Sequence, residues 1–201
     1  MRAVTRVKVS AWATAAVLLG SGMVQAQSTP KSVTVQMETS DGRDGGKATL
    51  MQSGKAVKVQ ADFKNLNPGV HAIHIHQNPK CDAPDFKTAG GHFNPTGKQH
   101  GIQNPQGHHA GDMPINLNVG DDGMVKKTFT TKDVTLDPKA ANSVFANGGT
   151  SLMVHAGADD MKSDPAGNAG GREACGIISI KNASGKSGHG FTGSSEGRSN
   201  H

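Results

Sequence analysis

The chain has no tyrosine, one tryptophan (Trp12) and six phenylalanines in 201 residues. A core so short of aromatic rings must rest on aliphatic side chains and on whatever cross-links the chain can make. The shortage also weighs against nucleic-acid binding, which wants basic patches interleaved with aromatic stacking surfaces. The overall charge of +5 and the pI near 9.3 point the other way, but much of that charge is concentrated at the start. Residues 1–26 read MRAVTRVKVSAWATAAVLLGSGMVQA, with Arg2, Arg6 and Lys8, an apolar stretch from about Ala11 to Val24, and the small-residue ending Val24-Gln25-Ala26. This is the pattern of a secretory signal cut after Ala26, and the apolar stretch is too short for the ~20 residues of a spanning helix. The expected mature chain has no stable membrane anchor and lies in the periplasm or outside the cell. The signal carries three of the 21 basic residues and none of the 16 acidic ones, so the mature chain is nearly neutral and nucleic acid is not expected as a partner. Trp12 leaves with the signal, so the mature protein should barely absorb near 280 nm.

Cysteine is almost as scarce, with only Cys81 and Cys175. In an exported chain a disulfide between them is the natural expectation, with free thiols or a metal pair as the alternative. On the chain-entropy view, closing so long a loop stabilises the fold by roughly 4 to 5 kcal/mol.

A sustained helical period is missing as well, while segments alternating at period two recur. They are SVTVQME (32–38), KATLMQ (47–52), KAVKVQADF (55–63), VHAIHIHQ (70–77), INLNVG (115–120), GMVKKTFTT (123–131), TSLMVHA (150–156) and ACGIISI (174–180). Turn-forming residues separate them, for example Asn67-Pro68-Gly69 and Asp121-Asp122-Gly123. Eight strands with short turns predict an all-β antiparallel barrel or sandwich spanning residues 27–181. Two connections, about 78–114 and 157–173, are far longer than hairpins, and such loops are usually functional. The first is rich in Pro and Gly and needs something other than secondary structure to order it. Residues 182–201 are Gly/Ser-rich and read as a disordered tail.

Histidine is the residue in excess: eight of ten fall between positions 71 and 155. Alternate residues of a strand share a face, so His74 and His76 converge while His71 has the parity of Ile73 and Ile75 and belongs to the core. His155, ending a later strand, is available to join His74 and His76. The first long loop contributes His92, His100, His109 and Asp112, and three imidazoles with a carboxylate make a closed zinc site. A site of imidazoles alone suits copper.

In combination, HAIHIH, GGHFNP, HAGD, MVHAGADD and GNAGGREACGI resemble the copper,zinc superoxide dismutases over roughly Ser32 to Ile180. The resemblance implies a Greek-key barrel, one copper and one zinc per chain, superoxide as substrate, and either a monomer or a homodimer. It implies copper on His74, His76, His92 and His155, and zinc on His92, His100, His109 and Asp112, with His92 bridging the two and passing a proton. Asp159 would tie a copper histidine to a zinc histidine. Arg172 would attract the substrate, and Cys81 with Cys175 would form the structural disulfide.

Some features depart from that pattern or leave a choice. His108 adjoins His109 and competes for the zinc role, although the His-x-x-Asp spacing favours His109. Lys162 is a plain solvated charge rather than a steering residue. Glu173 puts a carboxylate beside Arg172: at the mouth it would repel superoxide, and turned outward it would do nothing. The alternative function is an exported copper- or zinc-binding protein of the same fold without dismutase activity.

Overall fold

Period-two alternation makes each strand two-faced, and the fold follows from burying one face of each. A computed structural model of the protein describes residues 29–184; the expected signal and most of the expected tail lie outside the described residues. Eight strands form where the alternation predicts them: β1 (Ser32–Thr39), β2 (Asp44–Ser53), β3 (Ala56–Phe63), β4 (Gly69–His76), β5 (Asp112–Val119), β6 (Val125–Thr131), β7 (Thr150–His155) and β8 (Arg172–Ile178). Val33, Val35 and Met37 of β1, Val57, Val59 and Phe63 of β3, and Ile73 and Ile75 of β4 all point into one core. Each such aliphatic side chain contributes roughly 1.5 to 3 kcal/mol by leaving water.

The strands pair antiparallel in the order β5-β4-β7-β8-β1-β2-β3-β6. The two end strands, β5 and β6, follow each other in the chain across a tight turn in which Gly120 N–H donates to the Met124 carbonyl at 3.1 Å. The sheet therefore curls into a nearly closed barrel. Two connections cross between its halves, β3 to β4 and β6 to β7, which is a Greek-key path.

The second crossing, residues 132–149, is a third long connection that strand periodicity does not reveal. Val134, Leu136, Val144 and Phe145 bury themselves in the main core from irregular backbone, and Gln52 Oε1 holds the segment by accepting from Leu136 N–H at 2.7 Å. Ala183 and Ser184 form a short strand, β9, opposite Val33 and Ser32.

Cys81 and Cys175 are disulfide-bonded, with Cα atoms 5.6 Å apart. The bridge fastens the first long loop to β8, and beside it Phe86, Ala89 and Met153 make a small second core. That loop is further pinned by backbone bonds: Phe93 N–H donates to the Ile75 carbonyl at 2.8 Å, and Gly111 N–H to the Phe93 carbonyl at 2.8 Å. A Cβ on Gly111 would stand 2.2 Å from the Ile75 oxygen, so only glycine permits this approach.

Candidate metal centre

Strand parity sets the first cluster. His74 and His76 leave β4 on the face opposite Ile73 and Ile75, and His155 ends the neighbouring strand β7. His92 reaches them from the loop, paired by its backbone with His76. Ligand-capable atoms of His74, His76, His92 and His155 lie within 4.8 Å of one another, and all four side chains are buried. Hydrogen bonds fix which nitrogen each ring offers. His74 gives Nε2–H to Asp159 at 2.8 Å, and His76 gives Nδ1–H to the Gly90 carbonyl at 2.9 Å. His74 Nδ1 and His92 Nε2 are left buried without a partner, and His76 Nε2 faces His155 Nε2 at 3.2 Å. Buried bare imidazole nitrogens that converge fit a copper ion.

The second cluster gathers around Asp112 at the start of β5. Its Oδ1 lies 2.8 Å from His92 Nδ1, 3.1 Å from His100 Nδ1 and 3.2 Å from His109 Nδ1. Its Oδ2 accepts from the backbone N–H of Gly101 at 2.8 Å and of His109 at 3.1 Å. Ligand-capable atoms of these three histidines and the carboxylate lie within the same 4.8 Å, and all four residues are buried, a donor set that fits zinc. His92 turns one nitrogen to each cluster. Asp159 spans them a second time, with Oδ1 3.0 Å from His100 Nε2 and Oδ2 on His74.

Electrostatics separates the rings. Burial holds His92 at about 4 and His155 at about 3, and pushes His76 well below its ordinary value, so these imidazoles are neutral. Burial also acts against a charged His100, but its bonds to Asp112 and Asp159 win and raise it to about 9. Burial favours the neutral form of both carboxyls too. The imidazole bonds outweigh it and keep Asp112 and Asp159 well below the usual carboxylate range.

Arg172 opens β8 opposite His155, and its guanidinium donates to the Phe86 and Gly90 carbonyls of the metal-bearing loop. Gly90 thus orients both His76 and Arg172. His108 stays out of the clusters, with Nε2 3.2 Å from Asp133 Oδ1, and Lys162 is exposed. His71 is interior, as its parity predicts, but it is not merely packed: its Nδ1 lies 2.8 Å from the His155 carbonyl and 3.0 Å from Glu173 Oε2. Glu173 takes neither expected direction. It is 6% exposed and turned inward, where it also accepts from Asn67 N–H.

Asn116 was not singled out by the sequence, yet its side-chain amide exchanges two 2.9 Å hydrogen bonds with the Asp159 backbone. An asparagine between Ile115 and Leu117 was the available signal, though nothing in the sequence named its partner.

Fold and clusters together define a β-barrel protein with two adjoining groups of side chains that could each hold a metal ion. Comparison with known proteins agrees. The family model for copper/zinc superoxide dismutase (SODC) matches residues 45–178, and the chain belongs to that family. It is 52% identical over 134 residues to Cu-Zn superoxide dismutase 1 of Aquifex aeolicus, covering 66% of this chain and 79% of that one. With Cu-Zn superoxide dismutase 2 of the same organism the identity is 45% over 165 residues, or 81% and 96% of the two chains. Among solved structures, a double mutant of a SOD-like protein from Bacillus subtilis superposes with TM-score 0.69 at 36% identity, covering 72% of this chain and 95% of that one. The Cu/Zn superoxide dismutase of Brucella abortus gives TM-score 0.58 at 30% identity, covering 73% and 99%.

Proposed function

We propose that His74, His76, His92 and His155 hold the copper, that His92, His100, His109 and Asp112 hold the zinc, and that His92 and Arg172 act directly in turnover. The reaction is the dismutation of superoxide to oxygen and hydrogen peroxide, and the protein is a copper- and zinc-dependent enzyme. The observation that carries the residue assignment is the double allegiance of His92, with Nδ1 on Asp112 and Nε2 bare among His74, His76 and His155.

Copper held by His74, His76, His92 and His155 would supply the one-electron chemistry that dismutation needs. The chain's own residues do the rest. Arg172 places a fixed positive charge beside the cluster, and such a charge at a concave mouth draws in a small anion. Its guanidinium is held by two carbonyls, so it is oriented before the substrate arrives. His92 Nε2 is the atom that can hold a proton and give it to departing peroxide. Asp159 and the Gly90 carbonyl fix the tautomers of His74 and His76, so the remaining nitrogens stay available.

Export is the second part of the proposal: cleavage after Ala26 and residence in the periplasm or outside the cell, supported by the disulfide and by bacterial relatives. Mass measurement of the mature chain, with its expected lack of 280 nm absorbance, tests the cleavage site.

The functional test compares the wild-type chain and Arg172→Gln, each loaded with copper and zinc, for superoxide consumption across a salt series. The wild type should turn over quickly and slow as salt rises. The variant should keep both metals, turn over more slowly and show a flatter salt dependence. Full copper loading of the wild type without turnover would instead leave a metal-binding protein of this fold.

A further inference from the structure

Glu173 is a buried carboxylate that touches none of the proposed metal ligands' side chains and does not face the mouth. Burying such a group is costly unless it is paired; here one oxygen is held, and the other, Oε2, has no hydrogen-bond partner among the described residues. Oε1 accepts from the backbone N–H of Asn67 in the β3–β4 connection, and Oε2 lies 3.0 Å from His71 Nδ1 on β4. Its place in the ladder explains what those contacts can do. Along β7 and β8, Val154 faces Ala174 and the next residue, His155, faces Arg172. Glu173 is therefore the extra residue of a β-bulge, and bulges re-aim the side chains beside them. Without the bulge, Arg172 would share a face with Ala174, which lies in the main core. With it, the guanidinium reaches the Phe86 and Gly90 carbonyls. The bulge is pinned from within by Glu173 through Asn67, and His71 Nδ1, 2.8 Å from the carbonyl of His155, holds the facing strand.

We propose that Glu173 is a positioning residue for Arg172: by anchoring the bulge to the Asn67 backbone, it holds the guanidinium against the metal-bearing loop. The inference rests on the functional reading above only for its consequence in turnover. The geometric claim concerns the chain itself and can be tested without metal.

The test reads the rate at which phenylglyoxal modifies Arg172, followed by peptide mass mapping of the metal-free full chain, in the wild type and in Glu173→Leu. Leucine removes the acceptor for Asn67 N–H at similar size, so labelling of Arg172 should rise about fivefold, the factor expected from losing one net hydrogen bond. Labelling of the exposed Arg43 should not change. Glu173→Gln keeps an acceptor for Asn67 N–H and should label nearer to wild type than the leucine variant does. In metal-loaded protein, Glu173→Leu should retain copper while superoxide consumption falls and its salt dependence flattens. If Glu173→Leu lowers only the melting temperature, with Arg172 labelling and salt dependence unchanged, the residue merely packs and the proposal fails. Should the leucine variant not fold, Glu173→Asp, which retracts the carboxylate by one methylene, is read in the same labelling assay, and unchanged labelling there overturns the proposal. A loaded wild-type chain that consumes no superoxide would sink the dismutase reading while leaving the labelling result to decide this one.

Discussion

The carboxylate of Asp159 lies 2.8 Å from His74 Nε2, with both side chains buried. The same carboxylate's other oxygen is 3.0 Å from His100, so one side chain orients a ring in each proposed metal site. Replacing Asp159 by Asn keeps the shape but removes the charge and one acceptor. Asp159→Asn should weaken metal binding by about 10- to 100-fold, with zinc and copper both affected, read by competition with a chelator.

Above that carboxylate the backbone must come very close. Gly167 has φ +64°, and a Cβ there would stand 1.8 Å from Asp159 Oδ1 and 2.7 Å from His100 Nε2. Gly167→Ala should therefore cost more than about 1 kcal/mol in stability and lower zinc retention on dialysis. An alanine variant that keeps its zinc and its unfolding midpoint would contradict this geometry.

The titrations give the metal-free protein a stability optimum near neutral pH. His92 and His155 are depressed in the fold to about 4 and about 3, so the unfolded chain binds more protons as pH falls below ~6.5, and stability drops. Below ~4 the depressed Asp112 and Asp159 add to the loss in the same direction. His100 acts oppositely: raised to about 9, its contribution is complete below ~6.5 and disappears as pH rises through its folded value. Urea unfolding in the presence of a chelator should show stability falling on both sides of pH ~6.5, more steeply on the acid side.

Zinc at the proposed site would have to displace the proton that His100 holds, so its apparent affinity should rise with pH up to about 9. Competition titrations at several pH values measure the slope, and His100→Ala should remove this part of it.

The disulfide joins residues 94 apart, and Cys81 fastens the loop that bears the Phe86 and Gly90 carbonyls. Cys81→Ser with Cys175→Ser should destabilise the chain by roughly 2 to 5 kcal/mol in urea. Arg172 labelling should increase with it, because the loop that receives the guanidinium is no longer tied to β8.

Much of this was legible in the sequence because it depends on local periods and on side-chain chemistry. Alternation at period two marked the eight strands, and the same parity separated His74 and His76 from His71. The excess of histidine in a loop without its own secondary structure pointed to metal. The 132–149 connection was not legible, since Val134, Leu136, Val144 and Phe145 are buried from irregular backbone that has no period. Asn116 was equally hidden, because its partner lies 43 residues away.

Sequence alone thus placed the eight barrel strands and the clustered histidines with Asp112, which follow from spacing along one chain, while Asp159 and Arg172 came from the family resemblance and β9 escaped both. Only the tertiary structure decided where Glu173 goes. Strand parity assumes a regular ladder, and the extra residue opposite His155 breaks that assumption. The Glu173 carboxylate faces neither the mouth nor the solvent but is buried, accepting from the backbone of Asn67 in a connection more than a hundred residues earlier.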